Sequence, residues 1–311
     1  MCNVAALLDL ESASSGSGYE ARALIFGVTG QDGYYLRQIC AREGVAVYGV
    51  SRSGGDWIKG DVGDCNFVRT IIRRLRCSYV FHLAANSTTR VEAIFENHAA
   101  IASGTINILE SCREYCPGAR VFLSGSALQF ESDGSPVSDS MPFAASSGYV
   151  VARNYSALAA RYYRSLGLRT YVGYLCHHDS PLRAERHLNV RILRAAQRIR
   201  AGSRERLIID YPHVIKEFNF AGDIMEAVWL MVNQDRVFES VIGSGIGHPI
   251  VDWVRICFEQ VGLDWKEHVD IADRGRPDFE RLVADPSVVH SLGWRPQVDI
   301  RELAELMAAR T

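Results

Sequence analysis

Short apolar runs alternating with amphipathic stretches predict an α/β chain built on a doubly wound parallel sheet, followed by a smaller C-terminal lobe. Three observations carry that expectation: five apolar runs of strand length, helical spacing between them, and a glycine-rich turn joining the first run to the first helix. At 311 residues the chain has room for about two domains and a sizeable core. Hydrophobic residues make up 48% and charged residues 23%, with 34 Lys+Arg against 36 Asp+Glu and a net charge of −2. That balance disfavours a strongly basic nucleic-acid binder and an acidic disordered tail, so no nucleic-acid partner is expected. No apolar run reaches the length a bilayer span requires, and the opening MCNVAALLDLE carries an acidic flank where a signal peptide needs a basic one. The expectation is a cytoplasmic protein with no membrane partner. The eight cysteines form no CxxC pair, which suits buried thiols in a reducing compartment. Cys112 and Cys116 lie one helical turn apart without a nearby pair to complete a ligand set, so no metal is expected.

Residues 1–20 read as a flexible lead-in, Ser/Gly-rich from Glu11 to Glu20 and too polar to pack. The apolar runs follow at Ala23–Val28, Val45–Val50, Tyr79–Ala84, Val121–Ser124 and Thr170–Leu175, each short enough for a strand buried on both faces. Between them Tyr34–Arg42, Phe67–Leu75, Ala99–Tyr115 and Gly148–Leu166 carry helical spacing. Right-handed crossovers then give a Rossmann-type unit over 21–175. After Leu175 the alternation loosens. Helices are expected at Val190–Arg200, Asp223–Val232, Val251–Gln260 and Ile300–Ala309, in a mainly substrate-binding lobe over 176–311, with part of the chain returning to the first unit.

The first strand runs into Gly27-Val28-Thr29-Gly30-Gln31-Asp32-Gly33 and then a helix. Glycines three apart permit the tight turn, bring backbone close to a pyrophosphate, and let the helix pack on the sheet. In this context the loop predicts dinucleotide binding through Gly27, Thr29, Gly30, Gln31, Asp32 and Gly33. At the end of the second strand, where an acidic residue would bind the ribose of NAD, the chain has Val50-Ser51-Arg52-Ser53. Arg52 can pair with a 2′-phosphate, so NADP is favoured over NAD; the alternative is a surface arginine after a strand. Asp61 is expected to meet the adenine. Leu83, Ala84 and Ala85 are expected beside the cofactor where the next strand ends.

Ser126 follows the fourth apolar run, and Tyr149 and Arg153 come later on a helix at i, i+4, sharing one face. A phenol is a poor base at neutral pH unless a cation stands beside it. With that cation, Tyr149 becomes a general acid/base for a substrate hydroxyl, Ser126 holds the same oxygen, and Arg153 supplies the charge.

These motifs resemble the extended short-chain dehydrogenase/reductases, and within them the GDP-mannose 4,6-dehydratase branch. GVTGQDGYYL is similar to that branch's glycine loop. LCHHDSPLR, KEFNFAGDIMEAVWLMV, VGLDWKEHV, RGRPDFE and DPSVVHSLGWRP are similar to its later landmarks. The resemblance implies that Arg183, Arg191, Lys216 and Arg276 contact cofactor phosphate or a sugar nucleotide. It also implies that Ser87 and His178 lie near the sugar and the nicotinamide, that Tyr149 and Arg153 contact the cofactor too, and that the protein is a homodimer or homotetramer. The basic helix at 191–200 then faces those phosphates or solvent; His187, His213, His248, His268 and His290 lack ligand spacing and read as ordinary surface or core residues.

Three departures bear on chemistry. Arg153 stands where the family has lysine, keeping a charge but releasing no proton. Leu128 stands at the family's glutamate, leaving no group there to move a proton for loss of water; Glu131 and Asp133 are the candidates to reach in instead. His177 replaces an asparagine. The reading is therefore an NADP-dependent enzyme at C4 of a hexose that is GDP-linked by resemblance, either a 4,6-dehydratase or a 4-ketoreductase or epimerase. The alternative is a catalytically impaired relative that binds cofactor or nucleotide sugar in a structural or regulatory role.

Overall fold

The computed structural model describes residues 21–86, 88–272 and 277–309. The expected lead-in, Ser87 and Arg276 lie outside the described residues. The strands are β1 (Ala21–Phe26), β2 (Val45–Ser51), β3 (Ile58–Lys59), β4 (Tyr79–His82), β5 (Arg120–Ser126), β6 (Arg169–Leu175) and, beyond the shorter strands of the lobe, β11 (Glu239–Ile242). They form one parallel sheet in the order β11-β6-β5-β4-β1-β2-β3. The chain builds outward from β1 to β3, returns to β4 on the other side of β1, and builds outward again. The carboxyl ends of β1 and β4 therefore flank the switch point, where a crevice opens.

The apolar runs are unbroken because both faces are covered. In β1, Leu24 and Phe26 pack into one core and Ala23 and Ile25 into the other; β5 divides Val121 and Leu123 from Phe122 in the same way. One face is covered by α2 (Cys65–Leu75), α3 (Gly104–Tyr115) and α4 (Gly148–Ser165), the other by α1 (Gln31–Arg42) and α6 (Ala221–Val232). The expected Ala99–Tyr115 helix is shortened: residues 98–103 make a wider π turn before α3. There Gly104 lies against Val62 and His82, so close that an added Cβ would sit 3.0 Å from Val62.

A separate core forms between α5 (Leu188–Arg200), α7 (Ile250–Gln260) and α8 (Ile300–Ala308), around Leu193, Trp253, Phe258 and Leu303. Its short strands include β7 (His178–Asp179), β8 (Leu207–Asp210), β9 (Ile215–Lys216), β10 (Asn219–Phe220), β12 (His248–Pro249), β13 (Val269–Ala272) and β14 (Arg281–Leu282). The pairing of β10 with β7 holds this part of the chain above the sheet's carboxyl edge. No helix among the described residues is long and apolar enough to cross a membrane.

Candidate active site

The turn from β1 into α1 is possible only with glycine at two positions. Gly27 has φ +91°, and a Cβ on it would lie 2.8 Å from the Ala84 amide nitrogen at the end of β4. A Cβ on Gly33 would lie 2.5 Å from the Gly27 carbonyl oxygen, so α1 packs backbone to backbone on the turn. Gly30 caps α1 without a side-chain hydrogen bond. The first amides of the helix thus stay available to an anion, and the positive end of the helix favours one. Cavities of about 350 and about 500 Å³ meet along Gly27, Thr29, Gly30, Leu83 and Ala85. The pair makes one groove of the kind a dinucleotide fills, with its middle over the glycine turn.

The smaller cavity is lined by Ser51, Arg52, Ser53, Asp61, Ala84 and Asn86, among others. Sequence reasoning missed Glu96 on this wall, in the short helical turn Ile94–Asn97 that precedes the π turn. Arg52 donates to Glu96 at 2.8 Å and the Asn86 amide donates to its other oxygen at 2.9 Å. Those bonds, Asn86 first, hold the Glu96 carboxyl below the usual range.

Ser126, Tyr149 and Arg153 line the larger cavity. Ser147 caps α4, its hydroxyl accepting from the Val150 amide at 3.2 Å, and the helix then carries Tyr149 and Arg153 on one face. Arg153 Nε donates to the Tyr149 hydroxyl at 3.3 Å. Its Nη1 donates to the Ser124 carbonyl and, at 2.9 Å, to the Ser124 hydroxyl, so the guanidinium is locked onto the end of β5. Ser126 accepts from the Leu128 amide at 3.3 Å, and the Gln129 side chain accepts from the Ser126 amide at 2.8 Å. That turn leaves the Ser126 hydroxyl hydrogen free to donate and brings Leu128 onto the cavity wall. Behind it, burial and then the Arg153 charge push His82 down to about 3, so its imidazole is neutral.

The opposite wall joins the glycine turn to the lobe. Asp32 bonds His178 Nε2 at 3.0 Å, while His178 Nδ1 bonds the Cys176 carbonyl at 2.7 Å. Burial opposes both charges, yet the pairing wins: Asp32 is lowered and His178 raised. Gln31 donates to the His178 carbonyl at 3.1 Å and accepts from Ser180 at 3.0 Å, a second clamp between α1 and β7. Asp179, fully buried, accepts from Asn189 at 2.6 Å and lies 3.2 Å from the Arg183 guanidinium and 3.5 Å from His177. Lys216 donates to Asn189 at 3.1 Å and stands 3.4 Å from His177; burial brings it down to about 8. Arg183, Arg186 and Lys216 give this end of the cavity a cationic wall.

Packing decides which of the remaining residues reach the cavity. Arg191 is exposed and lines neither cavity, because α5 turns its neighbours Val190 and Ile192 into the lobe core. His187, which by its spacing reads as an ordinary surface or core residue, lines the larger cavity beside Arg186, and burial followed by the Arg183 and Arg186 charges lowers it to about 4. Glu131 and Asp133 line a third cavity on the far side of Leu128, Phe279 and Leu282, not the one that holds Tyr149. Among the described residues lining the Tyr149 cavity, Asp32 is the one carboxylate, and it is committed to His178.

Residues 24–307 match the family described as GDP-mannose 4,6 dehydratase. GDP-mannose 4,6 dehydratase 2 of Arabidopsis thaliana is 30% identical over 321 residues, covering 92% of this chain and 85% of its own. In fold, the chain is similar to dTDP-glucose 4,6-dehydratase from Bacillus anthracis in complex with NAD, with TM-score 0.81, 15% identity, and coverage of 93% of this chain and 96% of that one. It is also similar to RMD from Pseudomonas aeruginosa complexed with NADPH, with TM-score 0.80, 16% identity, and coverage of 93% and 98%.

Proposed function

We propose that this chain, which belongs to the GDP-mannose 4,6-dehydratase family, moves a hydride between a nicotinamide dinucleotide and C4 of a nucleotide-linked hexose, GDP-linked by family, without eliminating water. The observation that carries the reading is the Tyr149–Arg153 contact at 3.3 Å, in a cavity continuous with the glycine groove and with Leu128 on its wall. The nicotinamide, when bound, supplies or accepts the hydride. Tyr149 moves the proton at the C4 oxygen, and the guanidinium donating to the phenol oxygen stabilises the charge that develops there. Ser126 donates to the same sugar oxygen and fixes it for transfer. Arg183 and Lys216 suit the substrate diphosphate, and His178 with Asp32 keeps the sugar end of the cavity in register with the cofactor loop.

Elimination across C5–C6 needs a base for the C5 proton and an acid for the leaving hydroxyl. Leu128 supports neither, and Asp32 is held elsewhere. The reading is thus a 4-ketoreductase or an epimerase acting by oxidation and reduction, with 4,6-dehydration as the competing outcome. Arg52 supports NADP as the cofactor form and its pairing with Glu96 opposes it. The division at 175 into a cofactor unit and a substrate lobe belongs to the same reading, as does a cytoplasmic setting, which the free cysteines suit. A homo-oligomer is supported by α4, whose outer face exposes Val151, Tyr155, Leu158 and Tyr162 as one apolar stripe that continues at Leu166 just past its end.

The test supplies the purified chain with GDP-, UDP- and CDP-linked 4-keto sugars and reduced cofactor, following nicotinamide absorbance. Turnover is expected with at least one sugar, and Tyr149→Phe should lower kcat by about 10²–10⁴-fold while the melting transition barely moves. Unchanged turnover in Tyr149→Phe removes the phenol from the mechanism. Cofactor binding without turnover on any sugar favours the regulatory alternative.

A further inference from the structure

The adenosine end of the groove is charged in a way that the arginine after β2 does not reveal alone. Among the described residues lining it, the charged side chains are one guanidinium, Arg52, and two carboxylates, Asp61 and Glu96. Asp61 is turned partly to its own loop, accepting from the Gly63 amide at 2.8 Å. Glu96 is held from two sides, by Arg52 at 2.8 Å and by Asn86 at 2.9 Å. The Ser51 and Ser53 hydroxyls are 2.9 Å apart and bond each other.

We propose that Glu96 is a specificity-determining residue for the cofactor, its carboxylate disfavouring a 2′-phosphate so that the chain binds NAD at least as tightly as NADP. The inference rests on the reading of this groove as a dinucleotide site. A 2′-phosphate carries close to two negative charges at neutral pH, as other phosphate monoesters do. Arg52 gives one donor, Nη1, to Glu96, so a 2′-phosphate that takes the rest of the guanidinium stands beside that carboxylate and shares its cation. Like charges at such separation repel, and the second carboxylate, Asp61, adds to the field. A 2′-hydroxyl has no such conflict. It donates to the Glu96 carboxylate and accepts from Arg52 where it stands, the same chemistry an acidic residue after β2 performs in NAD-binding loops. The carboxylate arrives here from a different segment, 44 residues beyond Arg52.

The experiment titrates NADH and NADPH into the full chain by nicotinamide fluorescence, for the wild type, Glu96→Gln and the double variant Arg52→Ala/Glu96→Gln. Glutamine keeps an acceptor for Asn86 and removes the charge, and the position is exposed enough to keep the fold, which a melt checks. The wild type should bind NADPH no more tightly than NADH. Glu96→Gln should tighten NADPH about tenfold, or about 1.4 kcal/mol, and should not tighten NADH, whose 2′-hydroxyl loses a charged acceptor. The double variant should lose that gain. A wild type preferring NADPH by more than about tenfold, or a Glu96→Gln that shifts both cofactors equally or neither, overturns the inference alone. Failure of both cofactors to bind the wild type overturns the dinucleotide reading and the inference with it.

Discussion

Restoring a carboxylate at position 128 is the sharpest probe of the chemistry. Leu128 is half-buried on the wall between the Tyr149 cavity and the cavity that holds Glu131 and Asp133. Among the described residues, the one carboxylate lining the Tyr149 side is Asp32, bonded to His178 at 3.0 Å at the glycine-turn end of the cavity. A missing general acid/base costs about 10²–10⁴-fold, or about 2.7–5.5 kcal/mol at 1.36 kcal/mol per factor of ten. Leu128→Glu should therefore raise elimination from GDP-mannose by at least about a hundredfold over the wild type. The substitution also gives up part of a leucine's burial, about 1–2 kcal/mol of stability, which a chain of this size tolerates. The assay incubates each protein with GDP-mannose and cofactor in deuterated water, then measures loss of one water by mass spectrometry and deuterium at C5 by NMR. The wild type should yield neither signal above background, whereas Leu128→Glu should yield both. A wild-type chain that forms the 4-keto-6-deoxy product within tenfold of the Leu128→Glu rate, with deuterium at C5, refutes the reasoning from Leu128.

Two further outcomes follow from burial. His82 has a folded pKa of about 3 against 6.5 for the free side chain, so between those values the unfolded chain binds a proton that the fold refuses, and stability rises with pH in that window. Its share falls by about 1.6 kcal/mol from pH 6.5 to pH 5 and levels off above about pH 7.5; urea unfolding should find a slope shallower by up to one proton in His82→Gln, and an identical slope removes the assignment. On α4, Leu158→Glu or Tyr155→Glu should convert an oligomer to monomer in sedimentation with the fold kept. A wild type that sediments as a monomer at micromolar concentration removes the reading of that stripe.

Most of the sheet was legible because a strand buried on both faces must be apolar throughout, as Ala23–Phe26 is, and because Gly27 and Gly33 occupy places where any side chain would strike backbone. The pairing of Tyr149 with Arg153 was legible too, since helical spacing alone puts residues four apart on one face. β11 was not. Its run is four residues, Glu239–Ile242, and only the return of α6 to the sheet gives it β6 as a neighbour. Arg186 and His187 were passed over for Arg191, because they lie in the turn that leads into α5, and only the packing of Leu193 and Trp253 in the lobe core sets that turn, and not the helix, against the cavity.

By itself, then, the order of residues determined the alternation of strand and helix, the anion-ready turn, and the phenol with its cation, since each depends on neighbours within a turn or two of the chain. Tertiary structure decided the charges: Glu96 against Arg52, Asp32 against His178, Asp179 among Arg183, His177 and Lys216, and Leu128 on the wall in place of any carboxylate. Electrostatic fields act through space at a few ångströms, and the groups that set them here come from segments that only the crossovers of the sheet bring together.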